Sequence, residues 1–172
     1  TVEMLLQESG ISKGSLYHHF RDFTDVLEES MVRTYLNSVE EDLAVLEWMI
    51  GESPSPEQLR ETLLSIVRIS TTENRAAQRM RRVHLLSMSD HGTESMKAKL
   101  AFHQSQSIHN LAKVLKMAQE MNVIKSEFDP VALSGVVLAL VFGRVLSDVS
   151  ETPIPDEIWT PTIMAFLETA FV

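Results

Sequence analysis

The residues with the most specific chemistry in this chain lie in the segment SGISKGSLYHHF, at positions 9–20. After the turn residue Gly10 and the capping residue Ser12, helical spacing turns one set of side chains outward. This outward set combines small, hydrogen-bonding and aromatic residues: Lys13, Gly14, Ser15, Tyr17, His18 and His19. A helix in the major groove of DNA needs such a set, because short side chains permit close approach and donors beside them reach the DNA. The segment therefore predicts a contact with double-stranded DNA.

Two short helices joined by a glycine turn must position this set, and together they form a helix-turn-helix. The first is predicted over 1–8 with Thr1 as its cap, and the second over 12–19 with Ser12 as its cap. The cap leaves backbone N–H groups at the start of the second helix free to meet an anion. Four apolar residues are spaced to pack inward: Leu5, Ile11, Leu16 and Phe20.

The rest of the chain predicts helices separated by clusters of helix-breaking residues, so the fold class is all-α. These helices are predicted over 24–50, from Pro56, and over 74–88, 94–121 and 130–149, followed by a last helix that ends the chain. Pro161 lies within the last pattern, so that helix either kinks there or begins at Thr160.

Composition limits the class of protein. Hydrophobic residues make up 44 % of the 172, which is ample for a packed core, and there is no cysteine for a disulfide or a thiolate metal site. The net charge of -9 excludes a surface that binds nucleic acid everywhere, so any such contact must be local. The most apolar run covers the 13 residues 131–143, short of the roughly 20 that a membrane span needs. We therefore expect a buried helix there and no membrane partner.

The opening stretch TVEMLLQESGISKGSLYHHF resembles the DNA-binding signature of the tetracycline-repressor-type (TetR) family of transcriptional regulators. The resemblance implies a helix-turn-helix DNA-binding domain over 1–27 and a larger helical ligand-binding and dimerisation domain over 28–172. It also implies a cytoplasmic homodimer that represses promoters at a palindromic operator and leaves DNA when a small-molecule effector binds. Carried over by position, Thr1 and Tyr17 would contact phosphates. Lys13, Gly14, Ser15 and His18 would approach base edges or nearby phosphates, with Ser12 and His19 beside them.

The sequence departs from the family pattern at three places. Leu6 stands where the family usually has Ala, which predicts a slightly splayed motif. Phe23 stands where a Lys is frequent, so one phosphate contact is either missing or made by Arg21. The chain begins at the capping Thr1, and we expect an upstream helix with positive charge to precede it in the natural protein.

Two helices near the end of the chain predict a dimer interface. The helix from Pro130 carries small residues four positions apart, which form one stripe that a partner helix can approach closely. The stripe consists of Gly135, Ala139, Gly143 and Ser147. The helix from Pro130 and the last helix would together form half of an intermolecular four-helix bundle. The last helix contributes Trp159, Ile163, Phe166 and Leu167. The alternative is that both helices form only the core of one chain.

The resemblance places a ligand chamber among the helices over about 56–121. Adaptable methionines and two histidines on apolar faces are the candidate contacts: Met80, His84, Met88, His103, Met117 and Met121. The alternative is that each of these side chains only fills the core. The arginines of the run NRAAQRMRR, at 74–82, predict either a salt-bridged helix face or a site for an acidic ligand. The six histidines show no metal-ligand spacing, so we assign neither metal nor cofactor.

The leading function is thus a ligand-responsive DNA-binding regulator. The alternative is a helical small-molecule-binding or scaffolding protein that has lost DNA binding, which the acidic balance, Leu6 and Phe23 favour. We do not expect an enzyme, because the sequence offers no nucleophile–base pair, no glycine-rich phosphate loop and no paired catalytic carboxylates.

Overall fold

The computed structural model describes residues 1–52 and 55–172, apart from the side chains at 41, 42, 45–47, 49, 50 and 89. Within that part of the chain the fold is all-α, as predicted, and the only β pairing is an isolated bridge between Ile124 and Phe171. The helices are α1 (Val2–Ser9), α2 (Lys13–His19), α3 (Phe23–Gly51), α4 (Pro56–Ser70), α5 (Ala76–Met88), α6 (Glu94–Glu120), α7 (Pro130–Gly143), α8 (Val145–Asp148) and α9 (Asp156–Glu168). Short 3-10 turns precede α5 and α6.

Side-chain caps fix where most of these helices begin. The Ser55 hydroxyl accepts a hydrogen bond from the Gln58 N–H at 3.2 Å, and Pro56 occupies the first turn of α4. Oδ1 of Asp129 accepts from the N–H of Ala132 at 2.8 Å at the start of α7. Each of these contacts joins residues a few positions apart. Capping residues and clusters of helix-breaking residues in the sequence were therefore sufficient to predict where most of the helices begin and end.

One helix near the end of the chain differs from the prediction. The helix expected over 130–149 is interrupted at Arg144, whose side chain turns into the core between α7 and α8. The last helix begins at Asp156 and contains Pro161 in its interior, so of the two alternatives the start at Thr160 is wrong. Pro155 stands at its cap position.

Two hydrophobic clusters form the core. One joins α4, α6, α7, α9 and the end of the chain, with Leu59, Leu115 and Leu167 among its buried residues. The other joins α3, α5 and α6 around Val32 and Leu100. Helix α3 thus starts next to the helix-turn-helix and runs into the second cluster, so it connects the two predicted domains.

The apolar helix α7, which the sequence predicts to be buried, is only partly covered within the chain. Leu133 and Ser134 of α7 are buried, whereas Val136 is 53 % exposed and Leu146 of α8 is 81 % exposed. Within the part of the chain that the structure describes, neighbours cover this helix only in part. The segment Pro130–Asp148 is long and apolar enough to meet the length and composition test for a membrane span, but it also carries the buried charges of Arg144 and Asp148.

Candidate DNA-contact surface and ligand cavity

The turn and caps of the helix-turn-helix have the geometry that the sequence predicts. Gly10 ends α1 in the left-handed conformation with φ 67°, which a side chain would strain. The Thr1 hydroxyl accepts a hydrogen bond from the N–H of Met4 at 3.3 Å, and the Ser12 hydroxyl accepts from the N–H of Ser15 at 3.1 Å. Both helices therefore start at their predicted caps.

The predicted DNA-contact residues all lie at the surface. Exposed side chains or backbone are found at Thr1, Ser12, Lys13, Gly14, Ser15, Tyr17, His18 and His19. Leu16 is only 3 % exposed and fixes the opposite side of α2 against its neighbours. Ile11 does not pack inward as expected but is 42 % exposed, because it precedes the cap of α2 and lies in the turn. We define the outward residues of α2, from Lys13 to His19, as the recognition face.

Arg21, the candidate replacement for a phosphate-binding lysine, is held by Asp25. Its Nη2 lies 3.0 Å from Oδ1 of Asp25, and its backbone N–H donates to Oδ2 of the same carboxylate at 3.1 Å. These hydrogen bonds from Arg21 keep the pKa of Asp25 below its usual value. Asp25 therefore offsets much of the positive charge that Arg21 could offer to a phosphate.

Helix α3 is tied to α6 and α5 by polar contacts along its length. Close to the helix-turn-helix, Oε1 of Glu28 accepts from the N–H of Thr93, which caps α6, at 2.9 Å. Further along, the buried Tyr35 hydroxyl donates to Oε1 of Gln104 on α6. The Arg82 guanidinium on α5 donates through Nε to the Ser38 hydroxyl at 2.9 Å. A displacement of α5 or α6 would therefore move α3.

A cavity of about 210 Å³ lies between these helices. The apolar part of its wall is the larger and comes from α3, α4, α6, α7 and the end of the chain, with Leu63, Leu115, Val137 and Phe171 as examples. The polar side chains in the wall are Tyr35, Ser70, Arg75, Gln78, Arg79, Arg82, Gln104 and Ser107. Tyr35, Arg82 and Gln104 thus line the cavity and also hold α3. Burial raises the pKa of Tyr35, which keeps its hydroxyl a donor.

The ligand contacts predicted from the sequence do not coincide with this wall. The described wall residues do not include Met80, His84, Met88, His103, Met117 or Met121. His84 is exposed on α5, and Met121 packs against the outer part of the first core cluster. Apolar spacing identifies the face of a helix that packs on other helices, but it does not show where those helices enclose a cavity.

One arginine of the run, Arg79, forms the salt bridge that the sequence offered as one of two interpretations. Arg79, 2 % exposed, forms a buried ion pair in which its Nη2 lies 2.8 Å from Oδ2 of Asp148, and its Nη1 donates to the carbonyls of Ser70 and Thr72 at 2.9 and 2.7 Å. Arg144 pairs with Asp148 at 3.5 Å and with Asp156 at 2.6 Å. This salt-bridged group connects the end of α4 with α5, α8 and α9.

The predicted dimer residues fall into two groups. Ser147, Ile163 and Leu167 are buried within the chain, and the Ser147 hydroxyl accepts from the N–H of Ile154 at 2.8 Å. Trp159 is half-buried and its ring lies under the Arg144 guanidinium, with 5.5 Å from Cζ to the ring centroid. Ala139 and Phe166 are exposed, whereas Gly135 and Gly143 are partly exposed. Exposed apolar side chains on the same helices extend this second group: Val136, Leu146 and Ile158.

Among the described residues, no cluster of three His, Asp or Glu side chains has an arrangement suited to a metal ion.

Comparison with known proteins identifies the fold. No protein-family model matches the chain, and no curated protein sequence matches it. Solved structures do match. E. coli NemR in its reduced form is 17 % identical with a TM-score of 0.67, covering 100 % of this chain and 86 % of that one. A protein from Rhodococcus sp. assigned to the TetR family of transcriptional regulators is 19 % identical with a TM-score of 0.68, covering 100 % and 87 %. Regulatory protein TetR from Rhodobacter sphaeroides is 22 % identical with a TM-score of 0.61, covering 99 % and 87 %. The chain therefore has the all-α fold of TetR-family transcriptional regulators, with an N-terminal helix-turn-helix and a C-terminal helical domain.

Proposed function

We propose that this protein is a cytoplasmic, homodimeric DNA-binding transcriptional regulator that a small molecule releases from a palindromic operator. The observation that carries the proposal is the exposed recognition face on α2, correctly capped and supported by the buried Leu16. Its lysine, serine, tyrosine and histidines can position the helix on phosphates and discriminate base edges. The TetR-type fold supports this assignment, and we infer repression rather than catalysis from that fold.

The proposed response to a ligand runs through α3. A molecule in the cavity would meet Tyr35, Gln104 and Arg82, which are the same side chains that hold α3 against α6 and α5. Because α3 begins at Phe23, three residues after α2 and its cap, any shift of α3 alters the position of the recognition face. Ligand binding would thus favour a conformation in which DNA binds poorly, as a population shift between two states.

The proposed dimer would bury the apolar surface that α7, α8 and α9 leave exposed. We define this dimer surface by Val136, Ala139, Leu146, Ile158 and Phe166. A partner related by a two-fold axis would cover the same five residues with its own copy of them. Two recognition faces could then enter successive major grooves about 34–36 Å apart, which requires half-sites spaced by one turn of DNA.

A second function, a helical ligand-binding or scaffolding protein without DNA binding, is favoured by the local charge. Residues 1–35 contain three basic side chains, Lys13, Arg21 and Arg33, against six acidic ones. Arg21 is moreover engaged by Asp25. Such a protein would keep the cavity and the dimer but would show no salt-dependent affinity for DNA.

Selection of binding sites from random duplex DNA tests the regulator proposal. We expect an inverted repeat with half-sites about one helical turn apart. Tyr17→Ala should lose the enrichment because it removes an exposed contact from the recognition face. The control Trp48→Ala truncates an exposed aromatic side chain on α3, away from the recognition face, and should keep the enrichment. No enrichment at low salt would instead support the ligand-binding or scaffolding alternative.

A further inference from the structure

We propose that the cavity binds a small amphipathic carboxylic acid, whose apolar body lies among the aliphatic wall and whose carboxylate meets Arg75 and Gln78. This inference rests on the proposed function for its biological meaning, but the binding itself does not depend on DNA. The argument uses the size of the cavity, the charges in its wall and the engagement of each arginine.

The charges in the wall favour an anion. The described wall residues include the three arginines Arg75, Arg79 and Arg82 but neither Asp nor Glu. Asp148 already offsets the charge of Arg79, so the attraction for a ligand carboxylate comes from Arg75 at the edge of the cavity. A ligand ammonium group would find no carboxylate among the described wall residues. The protein as a whole carries a net charge of -9, so the attraction for an anion is local to this cavity.

Arg75 is the arginine best placed to bind the carboxylate. The guanidinium of Arg79 is already engaged by Asp148 and two backbone carbonyls, and that of Arg82 by Ser38. Arg75 is exposed, and its Nη1 donates to Oε1 of Gln78 at 2.7 Å, a neutral acceptor. An exposed guanidinium at the edge of the cavity can form a two-pronged contact with a carboxylate while both charges remain partly hydrated. The carboxylate therefore avoids the desolvation cost of deep burial.

The apolar part of the ligand must be small. The volume of about 210 Å³ exceeds that of a roughly 150 Å³ cavity that accepts benzene and lies below the roughly 300 Å³ lower limit for drug-sized ligands. One ring with a short substituent, or a single medium-length alkyl chain, fits this space. The apolar wall formed by side chains such as Leu63, Val137 and Phe171 offers no hydrogen bonds to such a body.

Calorimetric titration with three probes of the same chain length tests this inference. Octanoate carries the carboxylate, octanamide a neutral head and octylamine a cationic one. We expect saturable one-to-one binding of octanoate, on the order of ten-fold tighter than octanamide, with octylamine weakest. Arg75→Gln should abolish the preference for octanoate over octanamide, and Arg75→Lys should retain part of it. Arg81→Gln, which removes an exposed arginine of α5 outside the wall, should change nothing.

The outcomes separate this inference from the proposed function. Equal or tighter binding of octylamine or octanamide, binding of none of the three, or an unchanged preference in Arg75→Gln would overturn the carboxylate assignment. Octanoate binding that leaves a selected protein–DNA complex intact would support the carboxylate site and contradict ligand release by this class of molecule. Intact DNA recognition without octanoate binding would support the proposed DNA contact and overturn the carboxylate site.

Discussion

The hydroxyl of Tyr35 on α3 donates a hydrogen bond to Oε1 of Gln104 on α6, and both side chains line the same cavity. Tyr35 is 1 % exposed, so its hydroxyl has no access to bulk water in place of this acceptor. The contact makes the position of α3, and with it the recognition face, sensitive to what occupies the cavity.

Removing this hydroxyl should weaken the fold. Tyr35→Phe deletes the donor and leaves the amide oxygen of Gln104 without its partner. We therefore expect the free energy of unfolding to fall by about 1 kcal/mol. Chemical denaturation measures the change. Tyr17→Phe, at an exposed tyrosine, should stay within about 0.5 kcal/mol of the original protein, and equal losses in the two variants would contradict the assigned role of Tyr35.

The same tyrosine predicts a loss of stability in alkaline solution. Burial raises the pKa of Tyr35 above its ordinary value of 10.0 in the unfolded chain. The neutral phenol therefore contributes its full stability below pH 10.0, and that contribution is lost as pH rises from there through the higher folded-state pKa. Denaturation at a series of alkaline pH values should show a steeper decline for the original protein than for Tyr35→Phe. Parallel curves would contradict a buried, titrating Tyr35.

The buried ion pair between Arg79 and Asp148 should matter far more than a surface pair. Arg79→Met deprives Asp148 and the carbonyls of Ser70 and Thr72 of their donor, so we expect a loss of about 3 kcal/mol in unfolding free energy. Arg68 pairs with Glu61 at 3.5 Å with both side chains largely exposed. Arg68→Met should therefore cost less than about 1 kcal/mol. Similar losses in the two variants would show that Arg79 is not buried as described.

These buried polar contacts mark the limit of what the sequence could predict. Gly10, Ser12 and the apolar position Leu16 act on residues a few positions away, so the helix-turn-helix followed from local spacing. Arg79 and Asp148 are 69 positions apart, and no local pattern connects them. The sequence interpretation consequently left the arginine run undecided between a salt-bridged face and an acidic ligand site, although Arg79 serves the first and Arg75 is proposed for the second.

The predicted ligand residues lie outside the cavity wall for a related reason. Met80 and His84 were selected as a methionine and a histidine in an apolar pattern, but a cavity is defined by the space between several helices. Its described polar side chains come from α3, the end of α4, the 3-10 turn before α5, α5 itself and α6, which are spread over positions 35–107 of the sequence. In the same way, the small-residue pattern through Ser147 could not reveal that this side chain binds the backbone of Ile154 within the chain.

A charge on the proposed dimer surface should separate the protomers. Phe166 on α9 is 64 % exposed and Phe102 on α6 is 59 % exposed, so the two phenylalanines are matched in their contact with solvent. Phe166→Glu should give a monomer because an unpaired carboxylate would be buried in the interface. Phe102→Glu should remain a dimer. Sedimentation velocity distinguishes these states, and a dimeric Phe166→Glu or a monomeric original protein would contradict the proposed surface.

The central claim, a direct electrostatic contact between the recognition face and DNA, is tested most directly by the salt dependence of affinity for a selected duplex. We expect log K to fall linearly with log salt concentration for the original protein. Lys13→Gln should reduce the slope by about 0.9 per lysine, or about 1.8 for a dimer with two recognition faces. Lys116→Gln, at an exposed lysine on α6, should leave the slope unchanged. If the duplex binds without salt dependence, or if Lys13→Gln keeps the full slope, the recognition face does not contact DNA as proposed.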